Sequence, residues 1–286
     1  YRFRPCCNQP HTANCKPLTD MLNHLFATDR LRALYPLVQE FLREEIYPYE
    51  LDWLRRPFSE VEPILRAKKD KVRAIGAWNP YHAEDHGGAG LNLMEVAQLS
   101  ELLGTSPFGH FAFNCQAPDA GNIELLFQYA SDDMRRRYLH PLLEGEIRSC
   151  FSMTEPDFAG SNPVLMGTTA LREGDEYVIN GRKWFTTSAD GAAFAIVMAV
   201  TAPDDPNPYR RASMIIVPTD TPGFKLLRNI PVMGHAGDGW HSHGEIGYDN
   251  VRVPVSNLLG GEGDGFQLAQ ERLAPGRIHH CMRWIG

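Results

Sequence analysis

The spacing of apolar residues changes once along this chain, near residue 150, and that change limits the folds open to it. Before it, apolar residues recur three and four positions apart, as in Leu31, Leu34, Val38 and Phe41. This spacing is typical of amphipathic helices. From 150 to about 256, short apolar runs alternate with polar residues and are separated by turn residues, which is typical of strands. Helices followed by strands predict an α+β protein rather than a βαβ protein.

The same pattern divides the chain into four segments. Residues 1–19 are basic and lack acids, so we expect a leader or a disordered segment over residues 1–20. Residues 21–147 are predicted to form an all-helical domain and residues 148–258 an antiparallel, barrel-like β domain. Residues 259–286 are predicted to begin a C-terminal helix bundle that this chain leaves truncated.

Local signals sharpen this outline. Thr28 and Ser59 are expected to cap helices, since short polar side chains accept hydrogen bonds from the first free N–H groups. Gly104 is expected to close a helix in the left-handed conformation, and Gly145 is expected to close the helical series. Asn180-Gly181 lies between two apolar runs, the pattern of a tight hairpin turn. Pro275-Gly276 is expected to interrupt the last helix.

Composition excludes several classes of function. The formal net charge is −7 and no basic stripe with interleaved aromatics occurs, so we expect no nucleic-acid partner. No apolar run reaches the length of a membrane span, so no integral membrane segment is expected. Six cysteines without a CxxC pair favour reduced thiols in an intracellular protein. Three histidine pairs, His82/His86, His241/His243 and His279/His280, have no Cys or acid cluster in a recognisable ligand spacing beside them, and a bare pair gives too few ligands for a metal site.

The stretch from Phe151 to Asn162 is the first candidate for chemistry. It reads as a strand that breaks into a loop of small residues. Such loops present backbone N–H groups and hydroxyls to phosphates and flavin carbonyls. A capped surface turn would give the same pattern, and from these residues alone the two interpretations are equally good.

A second candidate follows in Asn180 to Thr187. On a regular strand, Trp184 and Thr186 would lie on one face. An aromatic plane beside a hydroxyl suits a flat heteroaromatic ring. Taken alone, a core Trp with a neighbouring strand Thr is the better interpretation, because both residue types favour strands anyway.

Together, four ordered motifs resemble the acyl-CoA dehydrogenase family. They are TEPxxAGS in Thr154–Ser161, NGxKWxT in Asn180–Thr186, EIxYDNVRVP in Glu245–Pro254 and NLLGxEGDGF in Asn257–Phe266. The resemblance runs from about residue 25 to the end. The last residues look most like the subgroup that in animals is fused to a phosphotransferase-like domain. Two departures occur: Asp157-Phe158 lengthens the TEP loop by one residue, and Asn162 replaces the usual Asp.

The resemblance implies FAD as the cofactor, and with it a set of binding residues. Phe151, Met153 and Thr154 would lie along the isoalloxazine ring. Gly160 and Ser161 would lie near the pyrophosphate or the pantetheine of the substrate. The aromatic residues Trp184 and Phe185 would flank the ring, and Thr186 would approach its N5 atom, where the hydride arrives. The glycines of Gly260–Gly265 do not follow a strand in a βαβ unit, so NAD binding is rejected.

By the same resemblance, Glu271 is a candidate for the base that removes the substrate's α-proton. Its pKa would have to rise toward neutral through burial. Arg272 would help to hold the substrate, together with Ser161. The alternative is that Glu271 is an ordinary solvated carboxylate on an amphipathic helix. In most family members the base lies in the C-terminal domain that this chain lacks.

The implied function is an FAD-dependent oxidoreductase that introduces an α,β double bond into an acyl-CoA thioester, as in fatty acid β-oxidation. The alternatives are a flavin monooxygenase or nitroalkane-type oxidase of the same fold, or an inactive truncated fragment. Expected partners are an acyl-CoA, an electron-transfer flavoprotein or another electron acceptor, and further copies in a dimer or tetramer. The expected compartment is mitochondrial or peroxisomal in a eukaryote and cytoplasmic in a bacterium.

Overall fold

The helical part of the protein comes first, as predicted. The computed structural model describes residues 27–286, so the predicted leader, 1–20, lies outside the described residues. The helices are α1 Asp29–Glu45, α2 Glu50–Trp53, α3 Phe58–Arg66, α4 Lys69–Ala74, α5 Leu93–Gly104, α6 Gly109–Ala112, α7 Asp119–Tyr129, α8 Asp132–Met134 and α9 His140–Leu143. A π-helical turn, Arg135–Leu139, joins the last two.

Eight strands follow, and most of them pair antiparallel. They are β1 Ser149–Ser152, β2 Thr169–Glu173, β3 Glu176–Thr187, β4 Phe194–Val200, β5 Ala212–Pro218, β6 Phe224–Asn229, β7 His243–Pro254 and β8 Leu258–Leu259. The sheet order is β6-β7-β3-β2-β4-β5-β8, with β1 beside β4. Only the pairings of β4 with β1 and with β2 are parallel among the described strands. The α+β prediction is confirmed.

Both ends of the helical region show the predicted local chemistry. The Thr28 side chain accepts from the Leu31 N–H at the start of α1, so this cap is confirmed. Gly145 follows the last helix with φ of 65°, the left-handed conformation that glycine adopts without a steric penalty. At the start of α5, Asn92 and Glu95 form a capping box that ties down the first free N–H groups.

The hairpin predicted at Asn180-Gly181 is wrong. Both residues lie inside β3, where the pairing with β7 shifts register between Ile179 and Gly181. A Cβ on Gly181 would lie 2.4 Å from Thr168 Oγ1, so the position requires glycine for close approach within the sheet. The turn that joins β2 to β3 instead falls at Gly174-Asp175.

The last helix, α10 Gly265–Ile285, runs through Pro275 without the predicted interruption. It packs on α5 and α7, and this packing outweighs the hydrogen bond that proline removes. Gly104, expected to be a left-handed closing residue, lies within α5 instead. A Cβ there would lie 2.3 Å from the Arg283 carbonyl oxygen, so this glycine lets α10 approach α5 closely.

The cap predicted for α3 is also wrong. The N–H groups of Phe58 and Ser59 donate to the Asp238 carboxylate, at 2.8 and 3.2 Å. Asp238 comes from the strand region, 180 residues further along the chain. It lies just before His241, whose ring packs on Phe58. The start of α3 is therefore fixed by the β part of the molecule.

Candidate functional site

The structure brings the two candidate motifs together. The chain leaving β1 lies beside β3, where the Trp184 N–H donates to the Thr154 carbonyl at 3.0 Å. The Thr154 hydroxyl donates to the Trp184 carbonyl at 2.8 Å. β1 itself pairs with β4, so the TEP segment bridges two strands. Phe151, Met153, Thr154 and Trp184 are all partly exposed here.

A buried ion pair locks this arrangement. Lys183 Nζ donates to the Met153 carbonyl and to Glu155 Oε1, both at 2.8 Å. Glu155 also accepts from the N–H groups of Gly167 and Thr168. Burial lowers the pKa of Lys183 to about 8 despite the nearby carboxylate. Burial raises the pKa of Glu155, but Lys183 and the Gly167 N–H outweigh it, and the net pKa is lowered.

Regular alternation of side chains along β3 would place Trp184 and Thr186 on one face, but β3 is irregular at this point. The pairing with β7 shifts between Lys183 and Thr186. At that bulge Phe185 has φ of 48° and its side chain is 45% exposed. Thr186 is fully buried, with its hydroxyl 3.3 Å from Ser152 Oγ. Period-two reasoning fails because a bulge inserts an extra residue into one strand.

Thr187, which the sequence analysis passed over, is the more accessible hydroxyl of this segment. It is partly exposed, and its Oγ1 lies 2.9 Å from His243 Nδ1 on the neighbouring strand. Burial lowers the pKa of His243, so the ring stays neutral near pH 7. The sequence shows two neighbouring threonines, Thr186 and Thr187. Only the bulge in the structure decides which of the two is buried and which is accessible.

The small-residue loop after the TEP segment is open to solvent. Gly160 and Ser161 are exposed. The loop folds back on Thr154, because a Cβ on Gly160 would lie 3.2 Å from the Thr154 methyl group. Gly160 therefore lies against Thr154, and the exposed Ser161 follows it directly in the chain.

A cleft of about 260 Å³ opens beside these motifs, between α5, α7 and α10. Its wall includes Arg272, whose guanidinium lies 4.0 Å from the centre of the Phe151 ring. Arg272 donates to Asn122 Oδ1 at 3.0 Å and to the Pro118 carbonyl at 3.2 Å. Burial lowers the pKa of Arg272 to about 10. Gly121 leaves room for this side chain, since a Cβ would lie 3.2 Å from it.

Glu271 faces away from this arrangement. It accepts from the Tyr129 hydroxyl and from Gln267 Nε2, and it does not line the cleft. The Tyr129 hydrogen bond is the main cause that lowers the pKa of Glu271, opposite to the rise that a tuned base requires. Glu124 does line the cleft, and burial raises its pKa.

Residues 27–286 contain neither a cluster of metal ligands nor a helix suited to crossing a membrane. Within that range no three His, Cys, Asp or Glu side chains gather where a metal ion could be held. No helix in the same part of the chain is both long and apolar enough to cross a membrane.

Comparison with known proteins covers both parts of this structure. The family model for the acyl-CoA dehydrogenase N-terminal domain matches residues 28–146, and that for the middle domain matches residues 150–251. FadE2 of Mycobacterium tuberculosis, assigned by its name to the acyl-CoA dehydrogenases, is 43% identical over 261 residues, 87% of this chain and 62% of that protein. Acyl-CoA dehydrogenase family member 11 of Gallus gallus is 41% identical over 87% of this chain and 33% of its own length.

Solved structures agree with these matches. A structure from Mycobacterium abscessus, assigned by its name to the acyl-CoA dehydrogenases, superposes with a TM-score of 0.84 at 42% identity. The match covers 90% of this chain and 67% of that one. The acyl-CoA dehydrogenase from Geobacillus kaustophilus gives a TM-score of 0.74 at 25% identity, over 90% of this chain and 65% of its own. The chain belongs to the acyl-CoA dehydrogenase family.

Proposed function

We propose that this chain carries the flavin-facing part of an FAD-dependent dehydrogenase that introduces an α,β double bond into acyl-CoA thioesters. The observation that carries the proposal is the contact between Arg272 and Phe151. Arg272 is a wall of the cleft, and Phe151 belongs to the TEP strand. A thioester in the cleft would therefore lie beside the strand expected to line the cofactor.

The residues of the two motifs fit a flavin. Phe185 is a large aromatic side chain held out to solvent beside Trp184, a surface that suits stacking on a flat ring. Phe151, Met153 and Thr154 would line the ring edge with backbone groups, and Gly160 and Ser161 would approach phosphates. The bound flavin would supply hydride acceptance. The protein's part is to orient both partners and to exclude water.

Of the two neighbouring hydroxyls, Thr187 suits the ring better than the predicted Thr186, because Thr186 is fully buried against Ser152. The matched pair Thr187→Val and Thr186→Val tests this assignment. We expect Thr187→Val to weaken FAD retention and alter the flavin absorbance, while Thr186→Val only lowers the melting temperature. The reverse pattern would restore the original assignment to Thr186.

For the base, Glu271 remains the candidate named from the family resemblance, and the cleft adds Glu124. Glu271 is held ionised by Tyr129, so it can accept a proton but is a weak base. Glu271→Gln and Glu124→Gln should be compared for flavin reduction by substrate. Loss of reduction with retained acyl-CoA binding identifies the base. Full reduction in both variants would exclude both residues.

The reaction type is tested by anaerobic titration of the FAD-loaded chain with acyl-CoA. We expect bleaching of the flavin absorbance and slow reoxidation by air, with an electron-transfer flavoprotein as the efficient acceptor. Failure to bleach, combined with rapid reaction of the reduced flavin with oxygen, would instead indicate a monooxygenase or an oxidase. Gel filtration of the same sample would test the proposed dimer or tetramer.

A further inference from the structure

One face of α10 lines the cleft over most of its length, and its far end carries basic side chains. Arg272, His279 and Arg283 all line the cleft. They are spaced by seven and four residues, which keeps them on one side of a helix. At 1.5 Å per residue, Arg283 lies roughly 16 Å along the axis from Arg272. The cleft thus runs from the TEP strand to a basic end.

The basic end contains buried hydrogen-bond donors that have no partner within residues 27–286. His110 is 2% exposed, and its Nε2 atom makes no hydrogen bond. His279 Nε2 and Arg283 Nε are also buried and unpaired. His279 and Arg283 line the cleft, whereas His110 does not. Buried polar atoms in native proteins almost always have partners, so the two unpaired atoms on the cleft wall indicate a missing ligand atom.

Charge points to the nature of that ligand. An arginine guanidinium stays charged, and none of the described acids forms an ion pair with Arg283. Burial lowers the pKa of His279 to about 4 and that of His110 well below its ordinary value. Both rings are therefore neutral near pH 7, and each can donate one N–H. The end of the cleft offers one unneutralised cation with neutral donors around it.

Two other charged side chains also line the cleft between its ends, Glu124 and Arg277. Burial raises the pKa of Glu124, which disfavours its carboxylate form, and Arg277 brings a further guanidinium to the cleft. The titratable groups that influence His110 and His279 are basic side chains, His280 and Arg283, and no acid is among them. Tyr81 stacks on His279, with ring centres 4.4 Å apart, and so fixes the direction of that ring.

We infer that the cleft binds an acyl chain whose far end is a carboxylate, that is, the monothioester of a dicarboxylic acid. This inference rests on the proposed function, because the reacting end must lie beside Phe151. The planar guanidinium of Arg283 matches a carboxylate with two parallel hydrogen bonds. The imidazole N–H of His279 then donates to a remaining oxygen lone pair. A plain alkyl end would leave the same donors buried and unpaired.

The test uses the FAD-loaded full chain and matched ligands that differ only in charge. The CoA monothioesters of linear dicarboxylic acids of increasing length are compared with their terminal methyl esters and with alkyl acyl-CoAs. Calorimetric titration gives the affinities. At the best length, the acid is expected to bind about 10- to 100-fold more tightly than its ester, the difference typical of a charged hydrogen-bonded contact.

Variants then assign the preference to the basic end. Arg283→Met is expected to bring the affinity for the acid down to that for the ester, and Arg283→Lys to recover part of it. Arg55→Met, which removes an exposed charge in the helical region, is the matched control and should keep the preference. His279→Gln is a second probe, should Arg283→Met fail to fold.

The possible outcomes distinguish a failure of this inference from a failure of the proposed function on which it rests. If the unmodified chain binds the acid and its ester equally tightly, the carboxylate inference is overturned without any variant. It is also overturned if Arg283→Met still binds the acid more tightly than the ester. If alkyl acyl-CoAs bleach the flavin but no acid preference exists, only the carboxylate site is lost. If no acyl-CoA of any kind bleaches the flavin, the proposed function itself is lost.

Discussion

At the scale of single residues, the pair Lys183–Glu155 decides the geometry of the candidate flavin wall. Lys183 is fully buried and bonds both the Met153 carbonyl and Glu155. Glu155 in turn receives two backbone N–H groups from the start of β2. Both charges lie within the motifs that carry the family resemblance, so the pair joins the two motifs physically.

Removing one partner should therefore be costly. Lys183→Met is expected to destabilise the chain by about 3–5 kcal/mol, because it leaves the Glu155 charge buried and unpaired. Lys183→Met combined with Glu155→Gln should recover much of that loss. The control, Lys225→Met, breaks an exposed pair with Asp249 and should cost about 0–1 kcal/mol. Urea unfolding measures all three, and equal losses for Lys183→Met and Lys225→Met would contradict the assignment.

At the scale of elements, glycine decides how closely α10 approaches α5. Gly104 faces the Arg283 carbonyl, whereas Gly276 within α10 has nothing within 4 Å of its missing Cβ. We expect Gly104→Ala to lower stability by about 1–3 kcal/mol through overpacking. Gly276→Ala should raise it by about 0.5–1 kcal/mol, since alanine favours helix. Thermal unfolding of the two variants gives the comparison, and a shift of the same sign in both would refute this account.

A second element-level prediction concerns the start of α3. Asp238→Ala should cost about 0.5–2 kcal/mol, the usual value of an N-cap, whereas Asp238→Asn should retain part of it. Ser59→Ala removes the residue that the sequence suggested as the cap, and it should be close to neutral. Chemical denaturation distinguishes the two caps. A larger loss for Ser59→Ala than for Asp238→Ala would favour the sequence-based assignment.

At the scale of the whole molecule, Arg148 joins the helical and β parts. It is 5% exposed, and it donates to Glu62 in α3 and to the carbonyls of Ser188 and Asp190 after β3. Asp238, which also belongs to the β part, contacts α3 by accepting from the Phe58 N–H. These contacts make the two parts depend on each other for local structure.

We therefore expect Arg148→Met to lower stability by about 1–3 kcal/mol, because the Ser188 and Asp190 carbonyls lose their buried donor while Glu62 keeps Arg66, and to broaden or split the calorimetric transition. Arg66→Met is the matched control: Arg66 also pairs with Glu62, but within α3 itself. That variant should unfold in one transition with a smaller loss. Identical calorimetric profiles for both variants would show that Arg148 does not couple the two parts.

The sequence by itself determined the order of helices and strands, the cap at Thr28, the left-handed Gly145 and the motifs of the candidate site. Each depends on residues close together in the chain, where spacing and side-chain type decide the conformation. It also named Thr154 and Trp184, which bond each other, and Arg272, which contacts Phe151 at the start of the same segment.

The tertiary structure alone decided what depends on distant partners. Asn180-Gly181 became a bulge because β7 and Thr168 crowd it, and Gly104 stayed helical because α10 packs on it. At the β3 bulge Thr186, expected to reach the ring, became buried, and Thr187 is the partly exposed hydroxyl. Arg283 and His279 became a basic end of the cleft only when α5, α7 and α10 met. Local spacing cannot encode these outcomes, because burial and close approach are set by residues far away in sequence.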